Sequence, residues 1–450
     1  MTSNESGKTP DGFLNSVPIY LEKNKNFHSN AHCVGETHHP STAWLYRSCK
    51  FQNLCFDVSS KDFYLVQSPT ETEFQQNRVS QSFTSTEFSP LHSKISLALG
   101  GINPRWQGKG RNRGIEKVKW FPKVLKEAPK DAFFLPSNVI FVPFHSFAGH
   151  NVGHLLWDDF YPIFLLQQIF GLVDETSKLM LMRVDTLKVL YASCDKKHKT
   201  EGCAKNFKKF LPVMGVDPQS FSSVKEANFE TATKISSKMI CAKTAVAGLG
   251  MLTDHGFNDH GWLPSSEHEV QNHGKGALFY QFRNYMMKNL GIADVSLKQN
   301  NQIRIVLSAH SSNYPERDVS FESQYDTLSK AFPSASLVTV ELATMTLKEQ
   351  VELVSQSNVF VSTCGGGVMT ATFLPRGATL ILFYNETGGF DYLNDESHTG
   401  EPAYLDWDLF NNAGFLRVHW LPIGSMNTAA GLKSLESLVR HEIDIIKNWW

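Results

Sequence analysis

At 450 residues the chain is longer than one ordinary core accommodates, so two domains are the natural expectation. Its formal net charge of −1 provides no global pull toward nucleic acid or an anionic membrane. No apolar run reaches the roughly 18 residues a membrane span needs, and the start, MTSNESGKTPDGFLNSVP, lacks the apolar core of a secretory signal, which makes a cytoplasmic protein the plain expectation.

Residues 1–30 are polar and read as disordered. From His32 to Gln67 an irregular, cysteine-bearing extension holds short strands, Leu54–Val58 and Phe63–Val66. Residues 68–95, rich in Ser, Thr and Gln, read as loop. Residues 104–130 carry nine Lys/Arg against two Glu and read as a solvated loop rather than a polyanion site. Asn138–Phe144 (NVIFVPF) is a strand, and apolar residues from Leu155 to Phe170 then recur at helical spacing, with Pro162 kinking or starting a segment. Leu179–Val184 and Lys238–Ala242 read as strands, Phe207–Met214 and Leu278–Leu290 as helices, and Gly291–Asn301 as a linker.

The second half alternates cleanly. Arg304–Ser308 and Ser336–Val340 are strands around a helix, Phe321–Phe332. Thr346 and Glu349 form a capping-box pattern ahead of Leu347, Val351 and Val354 on one helix face. NVFVSTCGGGVMTATFLPRGATLILFY reads as strand, glycine loop, helix, turn and strand, and Leu432–Trp450 as a closing helix. Such alternation implies a parallel α/β sheet. The expected fold is α/β, with two Rossmann-like domains, 31–295 and 296–450, facing a cleft. Ligands of such sheets sit at the carboxyl ends of strands, where Ser308–Arg317 and Thr363–Gly367 would share one rim.

Of the seven cysteines, Cys194 and Cys203 bracket a polar loop that a disulfide can close, and two of Cys33, Cys49 and Cys55 can pair. Cys241 and Cys364 read as reduced thiols. Paired cysteines need an oxidising compartment; seven reduced thiols is the competing reading. No spacing resembles a zinc site.

Two clusters can carry chemistry. His150, His154 and Asp158 are spaced four apart, so a helix puts them on one face, where a His–carboxylate pair can act as a general base. Asn151 and Asp159 flank them, and capping is the structural alternative. The second cluster is His310, Ser311, Tyr314 and Arg317, where a guanidinium can clamp a phosphate. Gly365, Gly366 and Gly367 at a strand-to-helix junction let a diphosphate approach the backbone and the helix N-terminus. Asp406-Trp407-Asp408 follows a poor strand and is a weak divalent-ion motif.

HNVGHLLWDDFYPIF, RIVLSAHSSNYPERDV and LKEQVELVSQSNVFVSTCGGGVMTATFLPRGATLILFY together resemble the motif blocks of glycosyltransferase family 61. The resemblance implies a GT-B fold and an inverting, metal-independent transferase of the Golgi or endoplasmic reticulum lumen. Its co-substrate would be a nucleotide sugar, UDP-linked, with no other cofactor, and its acceptor a glycan or glycoprotein. Asn151, His154 and Asp158 match the acceptor-side element, with Asp158 or His154 as base. On the donor side, Arg317 matches a basic residue, Glu349 and Gln350 an E-Q pair, and Gly365 and Gly367 the glycines of H-G-A-G, with Thr370 just beyond. Two positions depart: Cys364 stands where the family has histidine, and His310 where it has arginine. They point to a divergent subgroup with a different donor, or to a sugar- or nucleotide-binding protein that has lost activity.

Overall fold

The computed structural model describes residues 27–34, 44, 47–68, 95–102, 116–130, 132–146, 148–174, 176–184, 197–216, 222–223, 239–248, 276–297, 302–311, 318–385, 389–391, 396–398 and 404–449. The expectations for residues 1–26 and 69–94 lie outside them.

The first sheet has nine strands: β1 (Asn30–Val34), β2 (Ser48–Asp57), β3 (Asp62–Val66), β6 (Lys123–Leu125), β7 (Ala132–Phe134), β8 (Val139–Phe144), β9 (Lys178–Arg183), β10 (Ser222–Ser223) and β11 (Met239–Ala247). β4 (Leu97–Ile102) and β5 (Glu116–Trp120) form a separate antiparallel pair. Strands β8 to β11 run parallel, as expected. The cysteine-bearing segment is not an irregular extension. Its ten-residue strand β2 pairs antiparallel with β11, β1 and β3, so it belongs to this mixed sheet.

Two disulfides stitch it there. Cys33 joins Cys49 across β1 and β2, and Cys55 joins Cys241 across β2 and β11. Cys241 is therefore not the reduced thiol its strand position suggested. Cys203 is disulfide-bonded as well, to a partner outside the described residues. The basic segment also differs from the loop expected. In EKVKW, Val118 and Trp120 are buried while Lys119 is exposed, a period-two strand pattern that the lysine count obscured.

The second sheet has five strands, all parallel: β12 (Arg304–Ser308), β13 (Ser336–Val340), β14 (Val359–Thr363), β15 (Thr379–Tyr384) and β18 (Arg417–Pro422). β16 (Gly389–Asp391) and β17 (Glu396–His398) form a small antiparallel pair. The strand order is β13-β12-β14-β15-β18. Succession therefore reverses between β12 and β14, a switch point of the kind at whose carboxyl ends ligands of such sheets bind.

The helices are α1 (Val152–His154), α2 (Tyr161–Ile169), α3 (Lys197–Phe210), α4 (Gly276–Asn289), α5 (Glu322–Ala331), α6 (Leu347–Val354), α7 (Tyr404–Asn411) and α8 (Ala429–Trp449). A π-helical turn, Leu155–Phe160, joins α1 to α2. Pro162 lies in the first turn of α2, directly after the π-helical turn, so it stands where the helical segment changes. One apolar core runs from β8 through these helices into the second sheet and α8. Trp157 packs on Phe279 at 5.4 Å, Tyr161 on Phe282 at 5.2 Å and Phe164 on Tyr285 at 5.2 Å between ring centroids. Each such buried aromatic contributes about 1.5–3 kcal/mol. Helix α4 is thereby fixed against the segment that carries the His–Asp cluster.

Candidate active site

The segment that carries the His–Asp cluster begins where β8 ends. The Ser146 hydroxyl donates to Asp159 Oδ2 at 2.6 Å and accepts from the Gly149 N–H at 3.1 Å. A Cβ on Gly149 would lie 2.7 Å from the Phe207 ring, so only glycine fits. Asn151 caps α1, its Oδ1 accepting from the Gly153 N–H at 2.9 Å. The π-helical turn follows, a rare insertion that recurs at functional sites.

His154 Nδ1 meets Asp158 Oδ2 at 2.6 Å. The four-residue spacing therefore does bring the pair together. Asp158 is the deeper member, its side chain 0% exposed against 6% for His154. A buried carboxylate on Nδ1 fixes the ring and strengthens its other nitrogen as a proton acceptor. Asp159 serves a neighbouring purpose, holding the turn through Ser146.

The glycine loop lies at the switch point. Ser311, just past β12, joins its hydroxyl to that of Thr363 at the end of β14 at 2.9 Å. Its carbonyl accepts from the Gly367 N–H at 3.1 Å. Gly365 has φ 136° and ψ −167°, a conformation few residues but glycine adopt. Gly366 is exposed, with nothing within 4 Å of where its Cβ would be. The three amides expected to face a ligand are thus narrowed to those of Gly365 and Gly366. The helix they lead into, Gly366–Phe373, is a 3-10 helix rather than an α-helix. Cys364 is a buried thiol outside the disulfides, and its N–H donates to Phe383 at 2.9 Å.

Both residues of the E-Q pair have structural partners. Glu349 completes the capping box, accepting from the Thr346 N–H at 2.8 Å, and the Thr346 hydrogen bonds hold its carboxyl below the ordinary value. Gln350 is buried and donates to the carbonyls of Leu342 at 2.6 Å and Met345 at 3.1 Å. Its Oε1 accepts from Thr370 at 3.3 Å, so Thr370 ties the glycine-loop helix to α6.

His310 sits at φ 48°, the left-handed region, and its ring Nδ1 lies 2.7 Å from Asp318. Its backbone N–H donates to the Val319 carbonyl at 2.9 Å. Tyr314 and Arg317 lie outside the described residues. Asp406 is buried in α7, so the D-x-D falls on a helix and not after a strand.

Sequence reasoning missed Arg283. Its guanidinium is fully buried on α4 and donates to the carbonyls of Phe373, at 3.1 Å, and Leu374, at 2.8 Å, where the 3-10 helix ends. Nη1 pairs with Asp294 at 2.9 Å. Burial pulls its pKa down, and Asp294 opposes the fall. The available signal was an Arg within the apolar stripe Phe279, Phe282, Met286. The two sides of the site meet because α1, which carries His154, packs against this 3-10 helix.

The His154–Asp158 pair, which follows β8 of the first sheet, thus lies beside the helix that follows the glycine loop of the second sheet. The family model for Glycosyltransferase 61 matches residues 152–381, just over half of the chain, which takes in both the dyad and the glycine loop. The chain belongs to glycosyltransferase family 61. It is 23% identical over 363 residues to protein O-linked-mannose beta-1,4-N-acetylglucosaminyltransferase 2 of Canis lupus familiaris, with 78% of this chain and 51% of that protein covered. Its identity to the Homo sapiens protein of the same name is 22% over 357 residues, again at 78% and 51% coverage. The chain thus spans about half the length of the curated relatives it matches. Among solved structures, an E. coli heptosyltransferase with ADP-2-deoxy-2-fluoro heptose aligns at TM-score 0.27 and 10% identity, covering 67% of this chain and 99% of that one. A TM-score that low lends the assignment no weight.

Proposed function

We propose that this protein is an inverting, metal-independent glycosyltransferase that moves a sugar from a UDP-linked donor to a hydroxyl of a glycan or glycoprotein. The observation that carries the reading is the packing of the His154 helix against the glycine-loop helix. In this reading His154 serves as the proton acceptor and the neighbouring glycine loop binds the diphosphate. The two sheets then serve as the halves of a GT-B fold, with the acceptor against the first and the donor against the second.

In the reaction, His154 takes the proton of the acceptor hydroxyl while Asp158 holds the imidazole and balances its new charge. The acceptor oxygen attacks the anomeric carbon from the face opposite the diphosphate. The carbon–oxygen bond to the diphosphate breaks, and its electron pair leaves with the nucleotide. The Gly365 and Gly366 N–H groups stabilise that developing charge. Arg317 is assigned the same role, from its match to the family motif. His310 supports it less directly, because its ring is turned onto Asp318. No described helix is long and apolar enough to cross a membrane. The disulfides support residence in an oxidising lumen such as the Golgi or endoplasmic reticulum.

The test is thermal shift and UDP release across a panel of nucleotide sugars, each with and without EDTA. Stabilisation and turnover by a UDP-sugar that persist in EDTA are expected. Abolition by chelator would remove the metal-free route, and silence toward every nucleotide would remove the transferase reading.

A further inference from the structure

We propose that Arg283 is a positioning residue for the donor: it sets the glycine-loop helix against the His154–Asp158 dyad. This rests on the transferase reading above. The guanidinium grips the Phe373 and Leu374 carbonyls through Nε and Nη2. Those carbonyls end the 3-10 helix whose other end is the glycine loop. A helix C-terminus carries partial negative charge and carbonyls without intrahelical partners, so a cation there both caps and anchors it. A planar fork that spans two successive carbonyls fixes direction as well as distance, which an ammonium cannot do.

The other half of the argument is where α4 stands. Its Phe279 packs on Trp157, which lies in the π-helical turn next to Asp158, and its Phe282 on Tyr161, which follows that turn. The same helix reaches the second sheet's layer through Phe279 and Tyr280, which pack on Phe415 at 5.9 Å and 5.0 Å. Arg283 thus sits on a helix that touches both the dyad's support and the donor loop's support. The remaining guanidinium edge is held by Asp294 and by the Asn284 side chain at 2.6 Å. A displacement of the glycine loop by about 1 Å is enough to cost catalysis heavily, because the leaving group must stay in line with the attacking oxygen.

Two readouts on Arg283→Lys test this. The first is kinetic: kcat is expected to fall ~10-fold or more and the donor KM to rise, with acceptor KM unchanged, on protein shown folded by circular dichroism. The second needs no activity. Cys364 is a buried thiol in the glycine loop, so its rate of labelling by a thiol reagent under non-reducing conditions reports local opening. In Arg283→Lys that rate is expected to rise with little dependence on urea, the signature of a small opening rather than global unfolding. Cys364→Ser identifies the signal. Wild-type kinetic constants in Arg283→Lys, or labelling that tracks global unfolding with its full urea dependence, would overturn the inference and leave Arg283 a stabilising residue only. A wild-type protein that transfers no sugar would sink the transferase reading, while the thiol readout still decides whether Arg283 holds the loop. Should Arg283→Lys fail to fold, Asp294→Asn keeps the carbonyl contacts and loosens the guanidinium, and wild-type labelling there overturns the inference equally.

Discussion

Gly367 and Ser311 approach so closely that a Cβ on the glycine would stand 2.4 Å from the serine Cβ, while its N–H donates to the serine carbonyl at 3.1 Å. This contact joins the loops leaving β12 and β14 on either side of the switch point. Gly367→Ala must push Ser311 away, and the obstacle includes backbone. The expected loss is about 1–3 kcal/mol of stability, together with loss of nucleotide binding. Gly366→Ala meets nothing and should fold with wild-type Tm. Calorimetry on both variants checks the contrast; equal losses would mean that the Ser311 contact is not what makes Gly367 a glycine.

Asp158→Asn probes the dyad. The amide fills the same space and can still accept a hydrogen bond from His154 Nδ1, but it cannot balance an imidazolium. Turnover is expected to fall by about 10²–10⁴-fold with nucleotide binding retained. Single-turnover sugar transfer and a UDP titration, run side by side, measure both. A variant that binds UDP and transfers at the wild-type rate would take Asp158 out of the mechanism.

The second sheet was legible because its strands are short apolar runs with turn and cap signals between them. RIVLS, SLVTV and TLILFY each form a strand over the residues expected, and the Thr346–Glu349 box closes as its spacing says. The first sheet was harder because its pairings are remote. Cys55 and Cys241 are 186 residues apart, and nothing local to SCKFQNLCFD says that its partner is β11. Element type is a local property, whereas registry across such a distance is set by the assembled core. The same division runs through the site. Spacing alone brought His154 to Asp158. By contrast, the loss of the Gly367 amide to Ser311 and the grip of Arg283 on Phe373 depend on chain segments 56 and 90 residues away and leave no local trace.

Reduction should expose how much the first sheet owes to its cross-links. The Cys55–Cys241 bond closes a loop of 186 residues, which restricts the unfolded chain far more than the Cys33–Cys49 bond does. Opening it is expected to cost about 2–5 kcal/mol. Cys55→Ala with Cys241→Ala should lower Tm more than Cys33→Ala with Cys49→Ala. The reverse order in scanning calorimetry would show that loop-closure entropy is not the governing factor.

Glu442 gives the protein an acid limit of its own. It is buried on α8 and accepts from the Arg417 Nε–H, from Thr379 at 2.6 Å and from His419 at 3.0 Å. Burial pushes its pKa up, but the hydrogen bonds from His419, Thr379 and Arg417, with the guanidinium charge, outweigh burial and bring it from 4.5 down to about 2. The folded value lies below the unfolded one, so the group binds its proton more readily when unfolded. Its contribution is therefore complete above about pH 4.5 and is lost as the pH falls toward about 2. Glu442→Gln removes the charge and leaves Arg417 partly buried without it, an expected cost of about 3 kcal/mol near neutral pH. The variant's stability should also vary less than the wild type's between pH 4.5 and 2. Urea melts at stepped pH measure both slopes. Parallel curves would show that the acid response resides in other carboxylates and that α8 is held by its apolar face, through Leu435, Val439, Ile443 and Ile446.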